Sequence, residues 1–244
     1  MKKKTQLEQY LEKHTHTRES IINNKILFDL KLASARAEYF INVYTPEVDQ
    51  DGFDMIFDDH DKLAKIQLKT VTSKAKTNAW DIHKGLLRPE PYLAQELGFE
   101  FSPEGTGYQG GIVLIEIEDF EDNGFEVKYY YTDILIICAM RDHILKLSKK
   151  PKKTTLKTFF KDIGEGASHE KIKIYKNMFL EAKNPDALLA LMGMHNQYSR
   201  EQFRYNLQKV IEPCDNQQLV APRDRVIDSI NQDLYELSHS IEVV

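Results

Sequence analysis

Three residues around one predicted hairpin carry the makings of phosphate chemistry. In "DGFDMIFDDHDKLAKIQLK", Asp51 to Lys69, Asp54 follows a glycine turn, and Gln67 and Lys69 stand two apart further on. Hydrolysis of a phosphodiester needs an activated water and neutralisation of the charge that builds on the phosphorus and leaving oxygens. A divalent cation held by hard oxygens serves both needs, and a nearby ammonium stabilises charge or positions the water. Asp54 offers a carboxylate oxygen and Lys69 the ammonium, and the backbone carbonyl of Leu68 would complete the ligation. The competing reading is an ordinary amphipathic hairpin whose polar face is simply wet.

The elements around these residues must aim them together. "FDMIF" and "LAKIQLKTV" read as two strands joined by the turn "DDHDK". A hairpin symmetric about that turn opposes Asp54 to Gln67, Phe53 to Leu68 and Met55 to Ile66. Alternation then puts Asp54, Gln67 and Lys69 on one face and the apolar residues on the other, an arrangement that a slip of one residue would undo. Upstream, the segment from Thr17 reads as a helix with Thr17 as N-cap. Ile22, Ile26, Leu30, Ala33 and Ala37 follow a 3-4 spacing, and Glu19 falls within roughly 60° of that stripe, so its carboxylate would point along the buried face. Glu38 is its rival, about 100° off the stripe and at the helix end.

With these residues in place, "GFD…IQLK" resembles the PD-(D/E)xK nuclease superfamily, in the variant where glutamine replaces the second acid, as in RecB-like and Mrr-like nucleases. The likeness covers Thr17 to about Lys76, and the sheet-rich remainder up to Met140 in outline. It implies a restriction-endonuclease-like α/β core in which the Asp and the x-K strand are neighbours in a mixed sheet and an upstream helix supplies a glutamate. It also implies a Mg²⁺-dependent (or Mn²⁺-dependent) endodeoxyribonuclease of restriction or defence type, leaving 5′-phosphate ends. Asp54 and Glu19 would hold the metal with the Leu68 carbonyl, Gln67 would orient water or ligand, and Lys69 would stabilise charge. The other readings are a repair or recombination nuclease and an inactive nucleic-acid-binding or regulatory protein on the same fold.

Beyond the hairpin, "GIVLIEIEDF" and "FEVKYYYTDILIICAM" read as strands, "AWDIHKGLL" as a helical piece, and the chain to residue 146 as a mixed central sheet flanked by helices. The lysine-rich segment 147–167 reads as a linker. Residues 168–244 read as mainly helical, starting with "HEKIKIYKNMFLEAK" and followed by a helix capped by Asn184 and stopped at Gly193. "SREQFRYNLQKV" resembles the recognition helix of a winged-helix module. Arg200, Arg204 and Gln208 would share its exposed face toward DNA while Phe203, Leu207 and Val210 turn inward. A helical bundle with solvated charges is the plainer reading. Lys74 and Lys76, just past the motif, are further candidates for contact with a substrate backbone.

Composition bounds these readings. A formal charge of −5 rules out a generally polyanion-binding surface but leaves room for local basic patches. Cys138 and Cys214 have no C-x-x-C spacing, so no disulfide framework or cysteine zinc site is indicated. The longest apolar runs have strand length, and no apolar stretch follows the basic start "MKKK". A cytoplasmic location without membrane contact is therefore expected. The resemblance implies double-stranded DNA as partner and a homodimer as the natural form for cutting both strands.

Overall fold

The computed structural model of the chain describes residues 6–47, 52–94, 97, 99, 107–121, 124–194, 198–211 and 221–243. It is an α/β fold built on a mixed sheet, as the sequence leads one to expect. Two helices come first, α1 (Gln6–Lys13) and α2 (Thr15–Arg36). The sheet then begins as an antiparallel meander of β1 (Asn42–Tyr44), β2 (Met55–Asp58) and β3 (Leu63–Thr72). A crossover through β4 (Ala79–His83), α3 (Lys84–Leu87) and α4 (Pro91–Ala94) returns as β5 (Gly111–Glu121), parallel to β3. β6 (Gly124–Asp133) pairs antiparallel with β5. β5 is apolar on both faces from Ile112 to Ile115, as suits an interior strand covered on both sides.

α2 lies against one face of this sheet. Its Ile22, Ile26, Leu30 and Ala33 are buried at the predicted spacing, and Asp29 accepts a hydrogen bond from the Tyr129 hydroxyl of β6 at 2.6 Å. Helix α2 starts at Thr15 and has no side-chain cap, so the expected Thr17 cap does not form. Tyr130, the next residue of β6, points to the opposite face by alternation. There its ring underlies Lys176, and its hydroxyl donates to Glu116.

Beyond the hairpin the chain departs from the sequence reading in four places. "DILIICAM" continues no strand: Asp133 ends β6 and accepts the Ile136 amide, and α5 (Ile134–Arg141) begins there. A fully buried apolar run has no periodicity to distinguish strand from helix, so only the capping residue carried the signal. "AWDIH" is the strand β4, its helical part confined to the single turn of α3. The expected linker contains α6 (Lys153–Gly164), whose Leu156, Phe159 and Ile163 are buried one helical turn apart while its lysines face solvent.

"HEKIKIYKNMFLEAK" is no helix either. It forms β7 (Lys171–Tyr175), a 3₁₀ turn at Lys176–Met178, and β8 (Leu180–Ala182). β7 pairs with β4 in a separate two-stranded sheet, and β8 joins the main sheet beside β6, giving the order β1-β2-β3-β5-β6-β8. The residues after 167 therefore share a sheet and a hydrophobic core with those before 147. α7 (Pro185–Met192), α8 (Tyr198–Ile211) and α9 (Arg223–Leu237) complete the described chain. α7 has the predicted Asn184 cap and its left-handed Gly193 stop. No described helix is long and apolar enough to cross a membrane.

Candidate active site

The hairpin register is the one that the turn dictates. Met55 opposes Ile66 and Ile56 opposes Lys65, so Asp54 lies one step before β2 beside Gln67. Asp54 is not a regular strand residue. Its amide donates to the Ile66 carbonyl at 2.9 Å, and its carboxylate Oδ2 accepts the Leu68 amide at 2.6 Å. The side chain thus takes over where the backbone ladder of β2 stops, fixing the carboxylate against the strand between Gln67 and Lys69. In an extended strand the N–H and C=O of one residue point to the same edge, so the Leu68 carbonyl is directed toward the Asp54 side as well.

Gly52 makes this turn feasible. Its φ is +75°, a left-handed conformation, and a Cβ there would come within 2.4 to 2.7 Å of the His83 ring and its Cβ. His83, the last residue of β4, is thereby packed against the turn two residues before Asp54. No local pattern marks this neighbour, since His83 is 31 residues away and reaches the turn through the tertiary placement of β4.

Gln67 and Lys69 share a face. They lie beside Ile112 and Leu114 of β5, and Leu114 lies beside Tyr130, so both project from the Tyr130 face of the sheet. Gln67 is only 7% exposed, and its buried Oε1 has no hydrogen-bond partner among the described residues. An unsatisfied buried amide oxygen is a stability liability of about 1–3 kcal/mol. Lys69 is half-buried and forms no ion pair with any described residue. Further along the same face Glu116, opposite Val71, is already engaged by Tyr130 and Lys176. Burial alone would raise its pKa, but the hydrogen bonds from Lys176 and Tyr130 and the charges of Lys176 and Lys128 outweigh it and hold the carboxyl below its ordinary value.

Glu19 does not join this group. Its side chain is 58% exposed, with His16 Nδ1 at 3.9 Å. The stripe that it continues faces the Tyr129 side of the sheet, whereas Gln67 and Lys69 project from the other, so alignment with the stripe aims a glutamate away from them. Glu38 is exposed in a left-handed conformation past the end of α2 and supplies no substitute. Among the described residues, no three His, Cys, Asp or Glu side chains gather as a metal site. The oxygens that the hairpin register places on neighbouring residues are one carboxylate from Asp54, the orphaned amide oxygen of Gln67 and the Leu68 carbonyl. This hard, mostly neutral set fits Mg²⁺ or Mn²⁺ and not a softer metal.

The expected DNA contacts fare unevenly. Lys74 and Lys76 are exposed in the loop after β3, Lys74 lying 3.6 Å from Glu8 of α1. On α8, Phe203, Leu207 and Val210 are buried as predicted, and Gln208 is half-buried. Arg204 is turned inward: its Nη2 lies 2.7 Å from Asp133 Oδ2 and its Nη1 donates to the Leu191 carbonyl, so it does not belong to an exposed reading face. The side chain of Arg200 lies outside the described residues, as does Cys214. "KYYYT" offers no stacking platform, since Tyr129, Tyr130 and Tyr131 are all buried in the sheet. No family model, curated protein or solved structure matches this chain.

Proposed function

We propose that this chain is a metal-dependent nuclease that hydrolyses DNA phosphodiester bonds at the Asp54–Gln67–Lys69 hairpin. The observation that carries the proposal is the orphaned, buried Oε1 of Gln67 beside a carboxylate clamped to the next amide of the same strand. An unsatisfied buried acceptor calls for an explanation, and a divalent cation on Asp54, Gln67 and the Leu68 carbonyl would supply one. Bound there, Mg²⁺ or Mn²⁺ supplies a Lewis acid and a lowered pKa for its water. Lys69, which forms no ion pair with a described residue, offers its ammonium to the scissile phosphate and the oxyanion that develops there. Asp54 and Gln67 fix the position of the ion, and His83 against Gly52 keeps the Asp54 turn in place.

A reading as a restriction or defence endonuclease rests on the motif alone. So does a homodimer, while a cytoplasmic site of action rests on the short apolar runs and the basic start "MKKK". Incubation with supercoiled plasmid, linear duplex and single-stranded DNA tests the activity itself. Conversion of at least one of them with Mg²⁺ or Mn²⁺, and none in EDTA, is the expected outcome. No cleavage of any of the three with either metal removes the enzymatic reading in favour of a nucleic-acid-binding protein without activity.

A further inference from the structure

The segment expected to be a linker carries a one-sided run of positive charge. From Ser148 to Lys161 there are six lysines and no acidic residue, in a protein whose net charge is −5. None of these six ammonium groups forms a hydrogen bond or ion pair with a described residue. Because α6 is a helix anchored by Leu156, Phe159 and Ile163, three of the lysines are placed: Lys153, Lys157 and Lys161 recur every four residues and form one exposed stripe. The stripe runs about 12 Å along the axis, the length of three to four base-pair steps at about 3.4 Å each.

Next to this stripe the hydroxyls of Thr154, Thr155 and Thr158 line a groove of about 540 Å³, whose other wall is Lys171 and Lys173 of β7. Asp81 and Asp162 also line it and balance those two lysines, so the uncompensated positive charge is that of the α6 stripe. The groove is linked to the candidate active site through neighbouring residues. Lys171 pairs with His83, and the His83 ring packs on Gly52 beside Asp54.

We propose that α6 and the adjoining edge of the β4–β7 sheet hold the phosphate backbone of duplex DNA beside the hairpin. Lys153, Lys157 and Lys161 contact phosphates, and the threonine hydroxyls donate hydrogen bonds to phosphate oxygens. Such contacts position a duplex without reading its sequence. The inference deepens the nuclease reading by naming where its substrate is gripped, and rests on that reading for the position of the scissile bond.

The test is fluorescence anisotropy of a labelled duplex in EDTA, so that cleavage plays no part. It compares the wild type, Lys157→Glu/Lys161→Glu, and Lys13→Glu/Lys31→Glu, which makes the same charge change on exposed positions of α1 and α2. The α6 pair is expected to bind at least about 10-fold more weakly at low salt, with a salt slope reduced by about 2, while the control pair stays near wild type. Both substitutions are solvent-facing, and a like-charged i,i+4 pair costs only a few tenths of a kcal/mol, so thermal unfolding should remain cooperative in each variant. Equal affinity in all three proteins, or a loss that follows the control pair, overturns the proposal. So does wild-type binding of anionic lipid vesicles with no binding of the duplex. Because no metal is present, loss of binding in the α6 pair stands even if the protein cleaves nothing. Intact binding alongside metal-dependent cleavage would sink this inference and leave the nuclease reading untouched.

Discussion

Replacing Asp54 with alanine lowers metal-dependent DNA cleavage by more than about 1,000-fold and leaves the fold in place. Asp54 provides the one charged oxygen of the proposed ligand set, and its loss leaves two neutral oxygens to hold a divalent cation. Removing even a group that only supports a ligand typically costs 10- to 100-fold, so removing the ligand itself costs more. The substitution removes the hydrogen bond from the Leu68 amide at the open end of β2, a loss of about 1 kcal/mol. Lys69→Ala should lower the rate by about 100- to 1,000-fold, the usual effect of deleting one group that stabilises transition-state charge. Initial rates on plasmid DNA, with circular dichroism to establish folding, check both. Cleavage within threefold of wild type in either variant would place the chemistry elsewhere.

The largest stability effect is expected at Arg204. Its guanidinium forms the ion pair with Asp133, whose side chain is 2% exposed, and Asp133 also accepts from the Tyr131 hydroxyl and caps α5. Arg204→Met strands a buried carboxylate, which costs about 3–5 kcal/mol. The pH dependence has a definite sign. Burial alone would raise the Asp133 pKa, but the charge of Arg204, the Ile136 amide and the hydrogen bond from Arg204 prevail and lower it. In the wild type the pair therefore stabilises the fold above the ordinary carboxylate range of about 4, and this is lost as pH falls through the depressed value. In Arg204→Met, burial raises the same pKa, so the penalty is relieved on acidification. Urea unfolding of the two proteins from pH 7 downward should show a gap that is widest near neutrality and narrows toward acid. An unchanged midpoint at pH 7 would mean that Arg204 faces outward, as a DNA-contacting residue should.

The hairpin was legible in the sequence because three signals agree there. The glycine sets the turn, alternation sets the faces, and the turn "DDHDK" sets the register; Met55 does oppose Ile66. The helix stripe of α2 was equally legible, but the face of the sheet on which it packs was not. That choice is made by distant partners such as Tyr129, and it is what separates Glu19 from the hairpin. "KIKIY" alternates like a strand, with Ile172 and Ile174 buried and Lys171 and Lys173 exposed, yet its partner β4 is some 90 residues upstream, beyond the reach of local pattern. For α6 the 3-4 spacing of Leu156, Phe159 and Ile163 was present and was masked by the lysines around it. Arg204 shows the limit of periodicity. Its position on α8 was predicted, but an arginine beside a buried aspartate turns inward whatever its spacing suggests.

The account stands or falls on whether Asp54 and Gln67 together hold a divalent cation. Isothermal titration of Mn²⁺ into the wild type, Asp54→Asn and Gln67→Leu, each with and without saturating duplex, measures this directly. One metal site in the wild type, weakened about 10-fold or more in both variants, is the predicted result. Gln67→Leu should also unfold at the same temperature as the wild type or higher, since it removes an unsatisfied buried oxygen and keeps the volume. Mn²⁺ binding that neither substitution alters, or none in the wild type even with DNA, would contradict the account.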